Sequence, residues 1–125
     1  DPSNTVALSL ASYPNVAYTH QGWLTEDQRY FFQGDELDEG DGRKTRTLIW
    51  DVSDLDDPQL VKEFLGTHES TDHNMYVLGD LMYQSNNRAG LRVLDISNPE
   101  DPVEVGYFDT ATSMGSRMHL TQLPG

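Results

Sequence analysis

The chain contains no cysteine. Disulfide staples and thiolate metal sites are therefore excluded, while the redox compartment stays open. Basic residues are scarce: 8 Lys and Arg stand against 21 Asp and Glu in 125 residues, a net charge of −13. Such a chain repels phosphate backbones and anionic lipid, so nucleic acid and membrane surfaces are poor partners. Cations and cationic partners suit it better, and the plainer account of the charge is a well-solvated surface. No apolar run approaches the ~20 residues of a membrane-spanning helix, and no signal-peptide pattern is present. The chain opens at Asp1 without an initiator Met, which reads as a mature product or a fragment. No stretch has helical periodicity of useful length. A hydrophobic content of 36% with 10% aromatics still suffices for a packed domain.

What the chain does have is a repeat. Residues 47–61 read TLIWDVSDLDDPQLV and residues 91–105 read LRVLDISNPEDPVEV. The offset is 44, the distance from Asp51 to Asp95 and from Pro58 to Pro102. Upstream the register continues at 53, from His20 to His73, which lays Trp23 on Tyr76, Leu24 on Val77 and Tyr30 on Tyr83. The two offsets differ by nine residues, an insertion in the first copy that falls within 34–46, GDELDEGDGRKTR. Glycine and charge mark that stretch as a loop. A period of ~40–45 residues is the length of a four-stranded propeller blade.

Each copy reads as four short strands. In the second copy they are expected near 74–78, 81–85, 91–96 and 103–108, with Gly79-Asp80 as a tight turn. The third strand is apolar on both faces in both copies (Leu48, Ile49, Trp50 and Val52; Leu91, Val93, Leu94 and Ile96), as expected where both faces of a sheet are covered. Asp51 and Ser53, like Asp95 and Ser97, suit the turn that ends it, since carboxylate and hydroxyl accept backbone N–H groups. Pro58 and Pro102 suit the start of an edge strand. The expected fold is all-β: β-propeller blades of four antiparallel strands, at residues 20–66 and 73–110, with residues 1–12 as the end of a preceding blade. The tail 111–125 fits neither the repeat nor a further strand, and MGSRMH within it has the look of non-native sequence. Two blades and part of a third do not close a ring, because propellers need ~4–8. Either further blades come from a longer chain, or copies of this chain self-associate to complete the ring.

The segments THQGWLTEDQRYFFQGDELDE, TRTLIWDVSDLDDP and TDHNMYVLGDLMYQSNNRAGLRVLDISNPEDPVEVGYFDT closely resemble the LVIVD-repeat β-propellers called choice-of-anchor B proteins. The resemblance covers residues 1 to about 110. It implies an extracellular or cell-surface bacterial protein, of a family largely without an assigned activity. Family members continue past FDT with further propeller sequence, where the present tail departs.

Several residues are candidates for a site. His20 and His73 are equivalent, each just before the first strand of its copy, where imidazoles could bind a ligand or metal or shuttle protons. A repeated residue is, however, more often a repeated structural device. Trp23 and Arg88 are further ligand-binding candidates, Arg88 as a scarce cation able to clamp a carboxylate or pair internally. Asp35, Glu36 and Asp38 offer hard oxygen ligands suited to calcium, although their spacing is not that of an EF-hand loop. The same three carboxylates, with Glu26 or Asp27 and the two histidines, supply the ingredients of a glycoside hydrolase. Acidic pairs abound in a chain of this charge, and solvated loop carboxylates are the plainer account. The expected function is accordingly a non-catalytic binding or scaffold module, with the hydrolase as the alternative.

Overall fold

Successive strands of alternating character leave the backbone no route to satisfy itself except lateral pairing, and the chain pairs twice over. The computed structural model describes residues 3–37, 42–110 and 118–120. β1 (Thr19–Leu24), β2 (Tyr30–Asp35), β3 (Arg46–Asp51) and β4 (Gln59–Leu65) form one antiparallel sheet in that order. β5 (Asp72–Leu78), β6 (Leu81–Asn86), β7 (Gly90–Asp95) and β8 (Val103–Phe108) form the second in the same order. No helix occurs among the described residues. The chain is all-β, and each sheet has the four-stranded meander of a propeller blade, the two together leaving the ring open.

The copies agree down to their irregularities. The β1–β2 ladder slips between Thr19 and Gln21, and the β5–β6 ladder slips between the equivalent Asp72 and Asn74. A second slip falls at Ile49/Trp50 against β4 and at Val93/Leu94 against β8. A bulge sets two residues against one and re-aims side chains. Its recurrence at one register shows that the sequence repeat is a geometric repeat. The turn at Gly79-Asp80 is the expected one, with Gly79 at φ 57, a conformation that costs glycine least.

The core lies between the sheets. Phe32 and Ile49 of the first pack against Met75, Met82 and Leu94 of the second, with Tyr30 and Ile96 at the margin. Thr47 accepts a hydrogen bond from Gln84 Nε2 at 2.5 Å across the same junction. The innermost strands, β1 and β5, are stitched by one side chain: Gln21 Nε2 donates to Met75 O at 2.7 Å, and Gln21 Oε1 accepts from Met75 N–H. An amide thus stands in for a missing strand partner. At Gly34 an added Cβ would lie 2.3 Å from Asp72 Oδ2, so a side chain here would have to displace the Asp72 carboxylate from the blade junction.

The far faces of the two sheets differ. That of the first is covered by the segment before β1. Tyr13 meets Trp50 edge-on at 6.2 Å, and Arg46 donates to Pro14 O and Asn15 O, both at 3.0 Å. Hence all of β3 but Asp51 is buried, as expected. In β7 burial alternates instead, because among the described residues no segment covers the face of Leu91 and Val93. Residues 3–12 pair with neither sheet, and Val6, Leu8 and Leu10 are exposed.

Two expectations are corrected. The insertion loop does not begin at residue 34, since β2 runs through Asp35. The tail does supply a strand: β9 (Met118–Leu120) pairs antiparallel with β8, His119 opposite Tyr107. The outer edge of β8 offers unpaired N–H and C=O groups to any extended segment within reach. Three residues are too few for a periodic pattern to reveal them.

The strand-ending turns carry a pH dependence. Hydrogen bonds from Ser53, hydroxyl and then N–H, and from Arg29 hold the Asp51 carboxyl down to about 2, from 3.8. Asp95 is likewise held below 3.8 by the N–H and hydroxyl of Ser97. A pKa lower in the folded than in the unfolded chain stabilises the fold fully above the unfolded value and is lost as pH falls through the folded one. The difference in Tm between the wild type and Asp51→Asn is therefore expected to be full at neutral pH. It should close as pH falls from 3.8 to about 2, followed by calorimetry; a difference unchanged across that range contradicts the assignment.

Candidate functional site

The slip in each inner ladder has a chemical consequence. The residue it leaves over is His20 in β1 and His73 in β5, so the same bulge turns an imidazole out of each blade at the same place. The blades are neighbours, and the two rings stack with centroids 4.7 Å apart and planes 20° from parallel. Tyr18 stacks on the other side of His20 at 5.7 Å. Glu36, the first residue after β2, completes the group. Its N–H donates to Tyr18 O at 2.9 Å, which fixes it beside the start of β1. Its carboxylate lies 3.3 Å from His20 Nδ1 through Oε2 and 3.0 Å from His73 Nδ1 through Oε1. The three ligand-capable atoms lie within 4.8 Å of one another. The imidazoles are partly exposed, at 27% and 46% of their side-chain area, and the carboxylate less so at 18%.

Asp35, the neighbouring residue, has the opposite environment. Side chains alternate along a strand, so where Glu36 meets the histidines Asp35 points under the N-terminal segment. It is fully buried. Its oxygens accept from Ala17 N–H, Tyr18 N–H and Arg46 Nη2, the last at 3.0 Å. Arg46, itself 6% exposed, lies 3.7 Å from Glu63 and over the Tyr13 ring at 5.4 Å. Burial raises the Tyr13 hydroxyl above 10.0. This ion pair anchors the segment that covers the first sheet, which leaves Asp35 no free oxygen for calcium or catalysis. Asp38 lies outside the described residues.

The carboxylates proposed for glycoside hydrolysis are not brought together. Glu26 and Asp27 follow the far end of β1, while Asp35 and Glu36 stand beside its start. Six strand residues span roughly 17 Å, beyond the ~5–10 Å between the two carboxyls of a glycosidase. Glu26 instead accepts Gly79 N–H at 2.8 Å, another tie between blades. Asp27 is held below 3.8 mainly by the Thr25 hydroxyl. Both line an open cleft of about 440 Å³ with Arg29, Tyr30 and Asp80. There the Tyr30 hydroxyl donates to Glu100 at 2.6 Å, which raises it above 10.0.

Trp23 lies over Tyr76, its repeat equivalent, at 4.9 Å and is 41% exposed. Arg88 is exposed on a second cleft of about 240 Å³, and no carboxylate pairs with it among the described residues. The pairing falls to the buried Arg92, which meets Glu104 at 3.1 Å and lies over Tyr107 at 4.6 Å. Of the candidates read from sequence, then, the structure gathers His20, His73 and Glu36. Tyr18 and Gln21, which position them, had no signal in the repeat. The carboxylate belongs to the first copy alone, since the second joins its middle strands through Asn87, Arg88 and Ala89.

Removing one partner from a buried ion pair leaves the other charge uncompensated, at a cost of about 3–5 kcal/mol. Asp35→Ala is expected to lower stability by that amount in chemical denaturation; a loss under ~1 kcal/mol, the scale of an exposed pair, would place the pair at the surface.

The chain matches no curated protein and no solved structure. Residues 73–110, the span of β5 to β8, match the family model of the LVIVD repeat.

Proposed function

We propose that the chain is a non-catalytic binding or scaffold module of a β-propeller of the choice-of-anchor B kind, working at the cell surface or outside the cell. One observation carries this reading. The first sheet holds the second with Tyr30, Phe32, Thr47 and Ile49; the repeat offsets carry these to Tyr83, Ser85, Leu91 and Val93, three of the four apolar, on the open face of the second sheet. The contact between blades is head-to-tail, with different surfaces on the two sides. Such a contact repeats until a ring closes. The occupant that fits the open face is thus another blade of the same repeat, from a longer chain or from a second copy. The apolar strand residues of such a blade match what the face presents, and a second copy presents the far face of its first sheet here once residues 13–18 are displaced from it. The separated carboxylates give the hydrolase reading no comparable support.

The test is association. Sedimentation of the purified chain at rising concentration is expected to show self-association that Val93→Lys abolishes. That substitution sits on the open face, and circular dichroism of the variant confirms that its monomer folds. A wild-type chain that stays monomeric at high concentration, and binds no added LVIVD-repeat blade, would contradict the proposal.

A further inference from the structure

We propose that His20, Glu36 and His73 form a binding site for a first-row transition-metal ion of the zinc class, set across the junction of the two blades. Three independent features point there. The first is the donor set: two imidazole nitrogens and one carboxylate oxygen, the mixed nitrogen and oxygen ligation that zinc and its neighbours accept and calcium does not favour. The second is spacing. Zinc bonds of ~2.0–2.2 Å require ligand atoms roughly 3.3–3.5 Å apart in a tetrahedron. His20 Nδ1 stands 3.3 Å from Glu36 Oε2 and His73 Nδ1 3.0 Å from Glu36 Oε1, one imidazole to each carboxylate oxygen, and one ligand atom from each of the three residues lies within 4.8 Å of the others. The widest gap has to close by up to about 1.5 Å, and the stacked imidazoles have to turn so that both nitrogens face one ion; both are side-chain rotations and not a movement of strands. The third is delivery. Each histidine is the extra residue of a bulge, and a bulge beside a functional site serves to re-aim a side chain.

The surroundings support the assignment. Tyr18 backs the His20 ring and accepts from the Glu36 N–H, so two of the three ligands are held before any ion arrives. Gln21 ties β1 to β5 one residue from His20, which fixes the distance between the blades at the site. Two partly exposed imidazoles leave room for a fourth ligand from water or a bound molecule, the open arrangement of a site that does more than brace the fold. An ion here would bridge β1, the end of β2 and β5. It would bind the stacked blades and not their separated, unfolded strands, so binding would raise stability by mass action. Divalent charge would also suit a chain of net charge −13.

The site lies within one chain and does not rest on the proposed association between blades, so either can fail without the other. The experiment uses the full chain, stripped with chelator, and adds Zn2+ alone, with Co2+ as a spectroscopic substitute and Ca2+ as a control. The expected result is one zinc per chain by calorimetry, a Tm that rises with zinc and not with calcium, and a visible Co2+ spectrum of low-coordinate type. Single changes His20→Ala, His73→Ala and Glu36→Gln should each weaken binding by at least ~10-fold, the lower limit seen when even a ligand's own hydrogen-bond partner is lost. His68→Ala should bind as the wild type does. Circular dichroism of the exposed-histidine variants confirms that they fold. A wild-type chain with neither heat nor Tm shift at millimolar zinc would overturn the proposal, as would zinc binding that survives His20→Ala and His73→Ala unchanged.

Discussion

A four-stranded sheet has two faces, and the strands of this chain are apolar on both. That single constraint shapes the molecule. Between the sheets it is met by Phe32 and Ile49 against Met75, Met82 and Leu94, a contact whose large side chains are each worth a few kcal/mol when fully buried. On the far side of the first sheet it is met by the segment before β1, pinned through Arg46 and Asp35. On the far side of the second it is not met by any of the described residues. Leu91 and Val93 are only half-buried there, in contrast to the fully buried Thr47 and Ile49 at the equivalent positions of the first sheet. Two blades of one repeat therefore differ in burial without differing in pattern, and the difference measures how far the stack has been completed.

Polar groups set the register of that contact. Hydrophobic burial is non-directional and would tolerate some sliding of one sheet on the other. Gln21 removes that freedom by spanning to the Met75 backbone, Gln84 by donating to Thr47, and Glu26 by capping Gly79 N–H. With the register fixed, repeat-equivalent residues fall beside one another: His20 beside His73, and Trp23 beside Tyr76. The candidate site is a consequence of this. One bulge, copied with the repeat and placed next to its copy, brings two imidazoles together, and a carboxylate that belongs to the first copy alone gives the pair its chemistry.

The fold was legible in the sequence because a repeat states its period, and because Asp51-Val-Ser53 and Asp95-Ile-Ser97 mark the same turn twice. The equivalence of His20 and His73 could be read in the same way. Their contact could not, since it depends on the blades being adjacent, and a bulge exists only relative to a partner strand. Asp35 and Glu36 are alike in the sequence as carboxylates of one acidic stretch, yet β2 continues through Asp35. Strand alternation then sends one inward to Arg46 and the other to the histidines. The short β9 was invisible for a different reason: edge pairing asks only for extended backbone and leaves little trace in residue type.

The central claim is that the two sheets stack as consecutive blades through this junction. Methyl-resolved NOE spectra test it directly, because Met75 and Met82 both lie in it. An added Cβ on Gly34 would sit 3.5 Å from Met75 Cε, which puts that methyl beside the opposite blade's backbone. The account predicts cross-peaks from the Met75 methyl to the Gly34 α-protons, and from the Met75 and Met82 methyls to the Phe32 ring. A folded chain in which the Met75 and Met82 methyls show contacts only within their own sheet would contradict it.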